Sequence, residues 1–293
     1  MIYNLLCLVA WGVADLFYKM GNNDNKDKNS YLKTGAIVGF VMGIHAIIYM
    51  IANRLSINFL DIVKYLPISF CYILSMVLGY KGLKYLELGI SSTVQNSSGI
   101  ITSILLIIFF KERYDLLTYF MIFVVFLGIL VISFEENKEQ KTFKLKINKK
   151  NITLLALLLP IAYSILDGAG TFLDGIYLDK LELISEDSAL ISYELTFLVY
   201  GIITYIFLRK KKDKISFKND KNKLWAALFE TAGQFFYVFG MAEDSVISST
   251  VVGAYFILSL LLSRVFLKEK LSIITYIGIA ITSIGIIVLS LIG

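Results

Sequence analysis

Four carboxylates stand inside long apolar runs: Asp15 in AWGVAD, Asp167 in AYSILD, Glu194 in ISYELTF and Glu230 in ALFETAGQ. An ionised side chain facing lipid costs roughly 2.5–3.5 kcal/mol on an insertion scale, so each is expected to face a cavity. Helical spacing puts partners on the same faces. Trp11, Asp15 and Tyr18 step i, i+4, i+7, as do Glu230, Gln234 and Tyr237, while Tyr163, Asp167 and Asp174 step i, i+4, i+11. Gln95, Asn96 and Tyr255 add further polar and aromatic groups in two other apolar runs. Carboxylates among Trp and Tyr faces suit an organic cation, because the rings add cation–π attraction of roughly 0.5–2 kcal/mol. A carboxylate removed from water also takes up a proton more readily. Asp167 and Glu230 are therefore the candidates for exchanging a proton for cargo. Some of these groups have structural alternatives. Asp15 has a partner one turn on in Lys19, and Gln95 and Asn96 could be interhelical hydrogen-bond glue. His45, the single histidine, reads as a core or interface residue.

The elements that must position these groups follow from composition. Of 293 residues, 57% are hydrophobic and 17% charged, against roughly a quarter charged in soluble domains. Apolar segments of about 20 residues, long enough to span a bilayer, occupy 2–20, 32–52, 62–81, 88–110, 115–134, 152–175, 188–208, 223–241, 246–267 and 271–291. The expectation is an all-α integral membrane protein with ten transmembrane helices. The first segment lacks a basic leader and a small-residue cleavage site, so it reads as a span rather than a signal peptide. Cys7 and Cys71 lie in apolar runs and read as packing residues. One histidine builds no zinc or His-based catalytic site, and no HExxH or Walker A pattern occurs. Neither metal, cofactor nor enzymatic activity is expected.

The chain also repeats itself. ISSTV spans Ile90–Val94 and again Ile247–Val251, and Lys111-Glu112 is answered by Lys268-Glu269 at the same 157-residue offset. Between 90–133 and 247–290 there are 17 identities in 44 ungapped positions, including Gly128/Gly285 and Thr118-Tyr119/Thr275-Tyr276. Trp11 and Asp15 have a fainter echo in Tyr163 and Asp167. Each half holds five segments, an odd number, so the second copy inserts upside down: a 5+5 inverted repeat around a central site. The halves are 1–136 and 152–293, joined by a basic loop, 137–151. At one point they differ, since Gln95 and Asn96 correspond to Val252 and Gly253.

With this arrangement, an AWG motif in the first span, small polar residues opening the fourth and ninth, and a Lys-Glu turn after each, the sequence resembles the drug/metabolite transporter superfamily, EamA-like branch. The resemblance covers nearly the whole chain. It implies substrate exchange across membranes, usually export of metabolites or toxic amphipaths, with some importers, and it assigns no substrate.

Charge gives an orientation. The connections after odd-numbered spans carry 23 Lys and Arg, and the other side carries 5. The positive-inside rule places the basic side in the cytoplasm and both termini outside, although the resemblance points to cytoplasmic termini. The net charge of +5 thus sits in loops that touch solvent and anionic lipid, and no nucleic-acid partner is expected. The acidic stretch Asp174–Asp187 falls outside, as a solvated loop or a cation-gathering entrance. The expected function is proton-coupled export of a small cationic or zwitterionic metabolite by a multi-pass protein of the cell membrane. The alternatives are an importer of a quaternary ammonium nutrient such as choline and, remotely, a membrane-embedded enzyme. Nothing in the sequence sets an oligomeric state.

Overall fold

A computed structural model describes residues 1–22, 27–56, 58–82, 88–144, 150–216 and 218–292, and within these all side chains except 88–97, 136–144, 150–158 and 160. Among the described residues every regular element is helical. In order they are α1 (Ile2–Asn22), α2 (Ser30–Asn53), α3 (Phe59–Gly82), α4 (Leu88–Phe110), α5 (Leu116–Lys144), α6 (Lys150–Asp174), a π-helical turn (Gly175–Lys180), α7 (Glu186–Lys210), α8 (Lys221–Glu243), α9 (Ser245–Val252), α10 (Phe256–Leu262), a second π-helical turn (Ser263–Leu267) and α11 (Ile273–Ile292). Among the described residues seven stretches are long and apolar enough to cross a bilayer: α1, α2, α3, Leu116–Glu135 of α5, α7, Ser245–Leu267 and α11. The exterior is apolar to match, with Ile51, Phe59, Ile108, Ile165, Val265 and Leu291 each more than 60% exposed. Such a surface belongs against lipid rather than water.

Helices pack in a reciprocal pattern. α1 lies on α8 as α3 lies on α6, and α2 meets α7, α4 meets α9 and α5 meets α11. Small residues let the backbones approach. A Cβ on Gly39 of α2 would come within 2.2 Å of the Phe197 carbonyl and 2.8 Å of Gly201 Cα on α7. At the α5–α11 crossing the contacts exchange partners. Gly128 abuts Thr282 and Gly278, while Gly285 abuts Val125 and Met121; each pair of positions is related by the 157-residue offset. Backbone conformation repeats as well. Lys111 and Lys268 both turn left-handed, φ 55° and 58°, as do Arg54 and Lys212 beyond α2 and α7, φ 55° and 57°.

One span is irregular and one expectation needs correction. The segment 246–267 is a single candidate span but not one uninterrupted α-helix. It breaks at Gly253–Tyr255, where Ala254 and Tyr255 donate to the carbonyls of Val251 and Val252 in tight i→i−3 turns, and then ends in π geometry. The acidic stretch is also not simply a solvated loop. Asp174 is the last residue of α6 and fully buried, and Asp179 binds the backbone N–H and hydroxyl of Ser245. Both ends of the bundle are tied by ion pairs. Lys180 reaches Glu112 and Asp179 at 2.9 and 2.8 Å. At the opposite end Lys33 reaches Asp27 and Asp213 at 2.9 and 2.6 Å. The N-terminal amino group lies 2.6 Å from Glu243, at the Lys180 end.

Candidate functional site

A cavity lies where α1, α3, α4, α6, α7, α8 and the α9–α10 break converge. Trp11, Asp15, Tyr163, Asp167, Glu230, Gln234, Tyr237 and Tyr255 all line it. The structure therefore brings together eight residues chosen on sequence grounds. Glu194 is elsewhere. It is fully buried on α7, with both carboxylate oxygens 2.8 Å from His45 Nδ1. His45 opens instead onto a lateral apolar groove between α2 and α8, beside Phe235 and Phe236. Gln95 and Asn96 lie outside the residues whose side chains are described.

Local structure explains how the wall is built. Trp11 lies flat against α8 because position 233 is glycine; a Cβ there would come 2.2 Å from the indole. The indole Nε1 donates to the Glu230 carbonyl at 3.3 Å. Its ring sits 5.1 Å from Tyr237 and 5.6 Å from Tyr255, centroid to centroid. These three rings form an aromatic corner whose faces favour a cation. Asp167 accepts a 2.7 Å hydrogen bond from Ser98 of α4 and another from Tyr163, one turn back on its own helix. Glu230 accepts from Tyr18, and Asp15 from Ser259 of α10 at 3.0 Å. Among the described lining residues are three carboxylates and no Lys, Arg or His. Gln234 is 2% exposed, and its Nε2 finds no partner among the described residues. It offers an unused donor to whatever enters.

Sequence reasoning missed part of this wall. Tyr72, Met76 and Tyr80 of α3 line the cavity at i, i+4, i+8, a stripe readable from helical spacing alone. Tyr193 and Thr171 join them. Tyr72 enters because position 170 is glycine, whose absent Cβ leaves 3.0 Å to the ring. The Tyr72 hydroxyl meets that of Tyr237 at 2.8 Å and Asp174 Oδ2 at 2.8 Å.

The geometry is that of a polar chamber inside an apolar bundle. The sequence profile of the EamA-like transporter family matches residues 1–134 and 147–291. The chain belongs to the EamA-like transporter family. It is thus a membrane transporter of small molecules. No curated protein matches the sequence of this EamA-like transporter. Its fold is similar to that of a protein of known crystal structure, with a TM-score of 0.69 over 99% of this chain and 96% of that one, at 11% identity. At that identity the likeness speaks to fold alone.

Proposed function

We propose that this transporter exports a small organic cation or zwitterion in exchange for protons, with the central cavity as the site and Asp167 and Glu230 as the proton-coupling groups. The observation that carries the proposal is the lining: three carboxylates beside an aromatic corner, with no basic residue among the described wall positions. The unpartnered Gln234 amide suits a carboxylate or carbonyl on the same cargo, which favours a zwitterion. Cargo and proton compete for the same carboxylates, and two ligands so coupled oppose each other's binding.

The accompanying architecture is a 5+5 inverted repeat of ten spans in the cell membrane, with both termini outside. The reciprocal helix pairs, the exchanged contacts of Gly128 and Gly285, and the matched left-handed turns support the repeat. The ion pairs Glu112–Lys180 and Lys33–Asp213 each join the two halves at one end. Alternating access then breaks one tie at a time. The break of α9 at the cavity wall matches the discontinuous helices found at transporter sites.

A quaternary ammonium importer remains the second reading, favoured by the Trp11–Tyr237–Tyr255 corner. A thermal-shift screen of purified protein against amines, amino acids and quaternary ammonium compounds identifies the class, since a ligand stabilises the state it binds. Flux of the hit in proteoliposomes then decides coupling. Export predicts flux driven by an imposed proton gradient without a membrane potential. Flux that follows potential alone and ignores pH overturns it in favour of import.

A further inference from the structure

We propose that Asp174 is a second proton-holding site, joined to the cavity through the Tyr72 hydroxyl; this rests on the cavity being proton-coupled. Asp174 ends α6 two turns beyond Asp167 and is fully buried. It accepts hydrogen bonds from the hydroxyls of Tyr65 and Tyr72. The Tyr72 oxygen also lies 3.2 Å from Thr171 Oγ1 and 2.8 Å from the Tyr237 hydroxyl. Tyr72, Thr171 and Tyr237 line the cavity, whereas Asp174 and Tyr65 stand one side chain behind it.

No Lys, Arg or His pairs with Asp174 among the described residues. The groups that face it are Tyr65, Cys71 and Tyr72 from α3, Tyr193 from α7, Tyr237 from α8, and Asp167 from its own helix. All are neutral donors or a like charge. Burial and repulsion by Asp167 favour the protonated form, while the hydroxyls that donate to Asp174 favour the charged one, so the site can both hold a proton and give it up. A purely structural strut would be served by Asn or Gln without that expense. The position also lies at a helix irregularity, because the π-helical turn Gly175–Lys180 begins at the next residue, and such turns concentrate at functional sites.

The transfer is a relay of O–H bonds. When Asp174 is protonated the Tyr72 hydroxyl turns its hydrogen to Tyr237, and the Asp174 carboxyl O–H breaks as its proton bonds to the Tyr72 oxygen. The proton that Tyr72 carried passes to the Tyr237 oxygen, and the Tyr237 proton passes to water in the cavity. Asp174 is left ionised, both tyrosines are restored, and one proton is delivered beside Asp167 and Glu230. The reverse sequence reloads Asp174 when the cavity discharges.

Infrared difference spectroscopy on protein in lipid, stepped between about pH 5 and about pH 9, reads protonated carboxyls directly through their C=O stretch. The expected result is a component that titrates in wild type and is lost in Asp174→Asn. In Tyr72→Phe this component should persist but respond at least tenfold more slowly to the pH step. If Asp174→Asn does not fold, Tyr65→Phe serves instead: it removes one hydrogen bond and should shift the frequency of the same component alone. Spectra of Asp174→Asn identical to wild type, an unchanged spectrum in Tyr65→Phe, or an undiminished rate in Tyr72→Phe overturns the proposal. Components removed by Asp167→Asn and Glu230→Gln appear in the same spectra. Their absence refutes cavity coupling independently of Asp174.

Discussion

Gly128 and Gly285 hold the same post on opposite sides of one helix crossing, each set against the equivalents of the residues that the other touches. Their tolerance differs. A Cβ at 128 would lie 2.1 Å from Thr282 Oγ1, 2.7 Å from the Thr282 backbone nitrogen and 2.8 Å from the Gly278 carbonyl, whereas one at 285 meets the Val125 Cγ2 methyl at 2.6 Å and backbone only at 3.2 Å. Backbone cannot move aside as a methyl can. Gly128→Ala should therefore destabilise by about 1–3 kcal/mol, and Gly285→Ala by less. Thermal melts in one detergent rank the two, and equal losses would contradict the packing argument.

Trp11 supplies one face of the aromatic corner. With tetraethylammonium as probe, Trp11→Leu should weaken binding by the cation–π share, roughly 0.5–2 kcal/mol or about 2- to 30-fold, while Trp11→Phe retains part of it. Isothermal titration measures both. Equal affinity in wild type and Trp11→Leu would place the cation away from this corner.

Glu230→Gln fixes the uncharged form of that side chain. Export flux of an identified cargo should lose its pH dependence and cation affinity should fall, with folded yield nearly unchanged. Asp167→Asn should do the same. A wild-type pH profile in both variants removes these carboxylates from the coupling.

The Lys33–Asp213 tie gives a pH signature. Burial pushes the Asp213 carboxyl up, but hydrogen bonds from Lys33 and Asn29 outweigh it and hold it below its ordinary value. A depressed carboxylate stabilises the fold above its unfolded value, about pH 3.9, and that contribution is lost as pH falls through the lower folded value. Asp213→Asn should thus cost about 0.2–1 kcal/mol near neutrality and converge with wild type in strong acid. Melting curves across that range check the sign.

Orientation is tested by fusion. A reporter that works only outside the cytoplasm should be active after Gly293, and a cysteine in 214–218 should be labelled only from the cytoplasmic side. Cytoplasmic reporter activity at the C-terminus would reverse the orientation and leave the fold intact.

How much of this is legible from sequence depends on distance along the chain. The helical, membrane-spanning class follows from composition, and the duplication from ISSTV and the Lys-Glu pairs, because both are local or periodic signals. Asp167 and Glu230, with Tyr163 and Gln234 one turn away, stand out because a charge in an apolar run is conspicuous. The Glu194–His45 pair is not legible, since its partners lie 149 residues apart and only helix packing brings them together. Nor is the burial of Asp174. It sits beside Asp179, Glu182, Glu186 and Asp187 in sequence, and the tyrosines that enclose it come from α3 and α8. The break in α9 had a trace in Val252-Gly253 opposite Gln95-Asn96, but glycine alone does not distinguish a helix interruption from close packing.

A crossing such as α5 against α11 is isologous within a single polypeptide: the surface meets its own counterpart, as in a homodimer. In a true homodimer any substitution appears twice, and the two sides of a chamber on the axis are forced to be alike. Joining the copies in one chain removes that constraint. Trp11 stands in the wall where its counterpart in the other half is Tyr163. A chamber with unlike walls can hold a molecule that has a head and a tail in one orientation, which a symmetric pair of subunits presents equally in two.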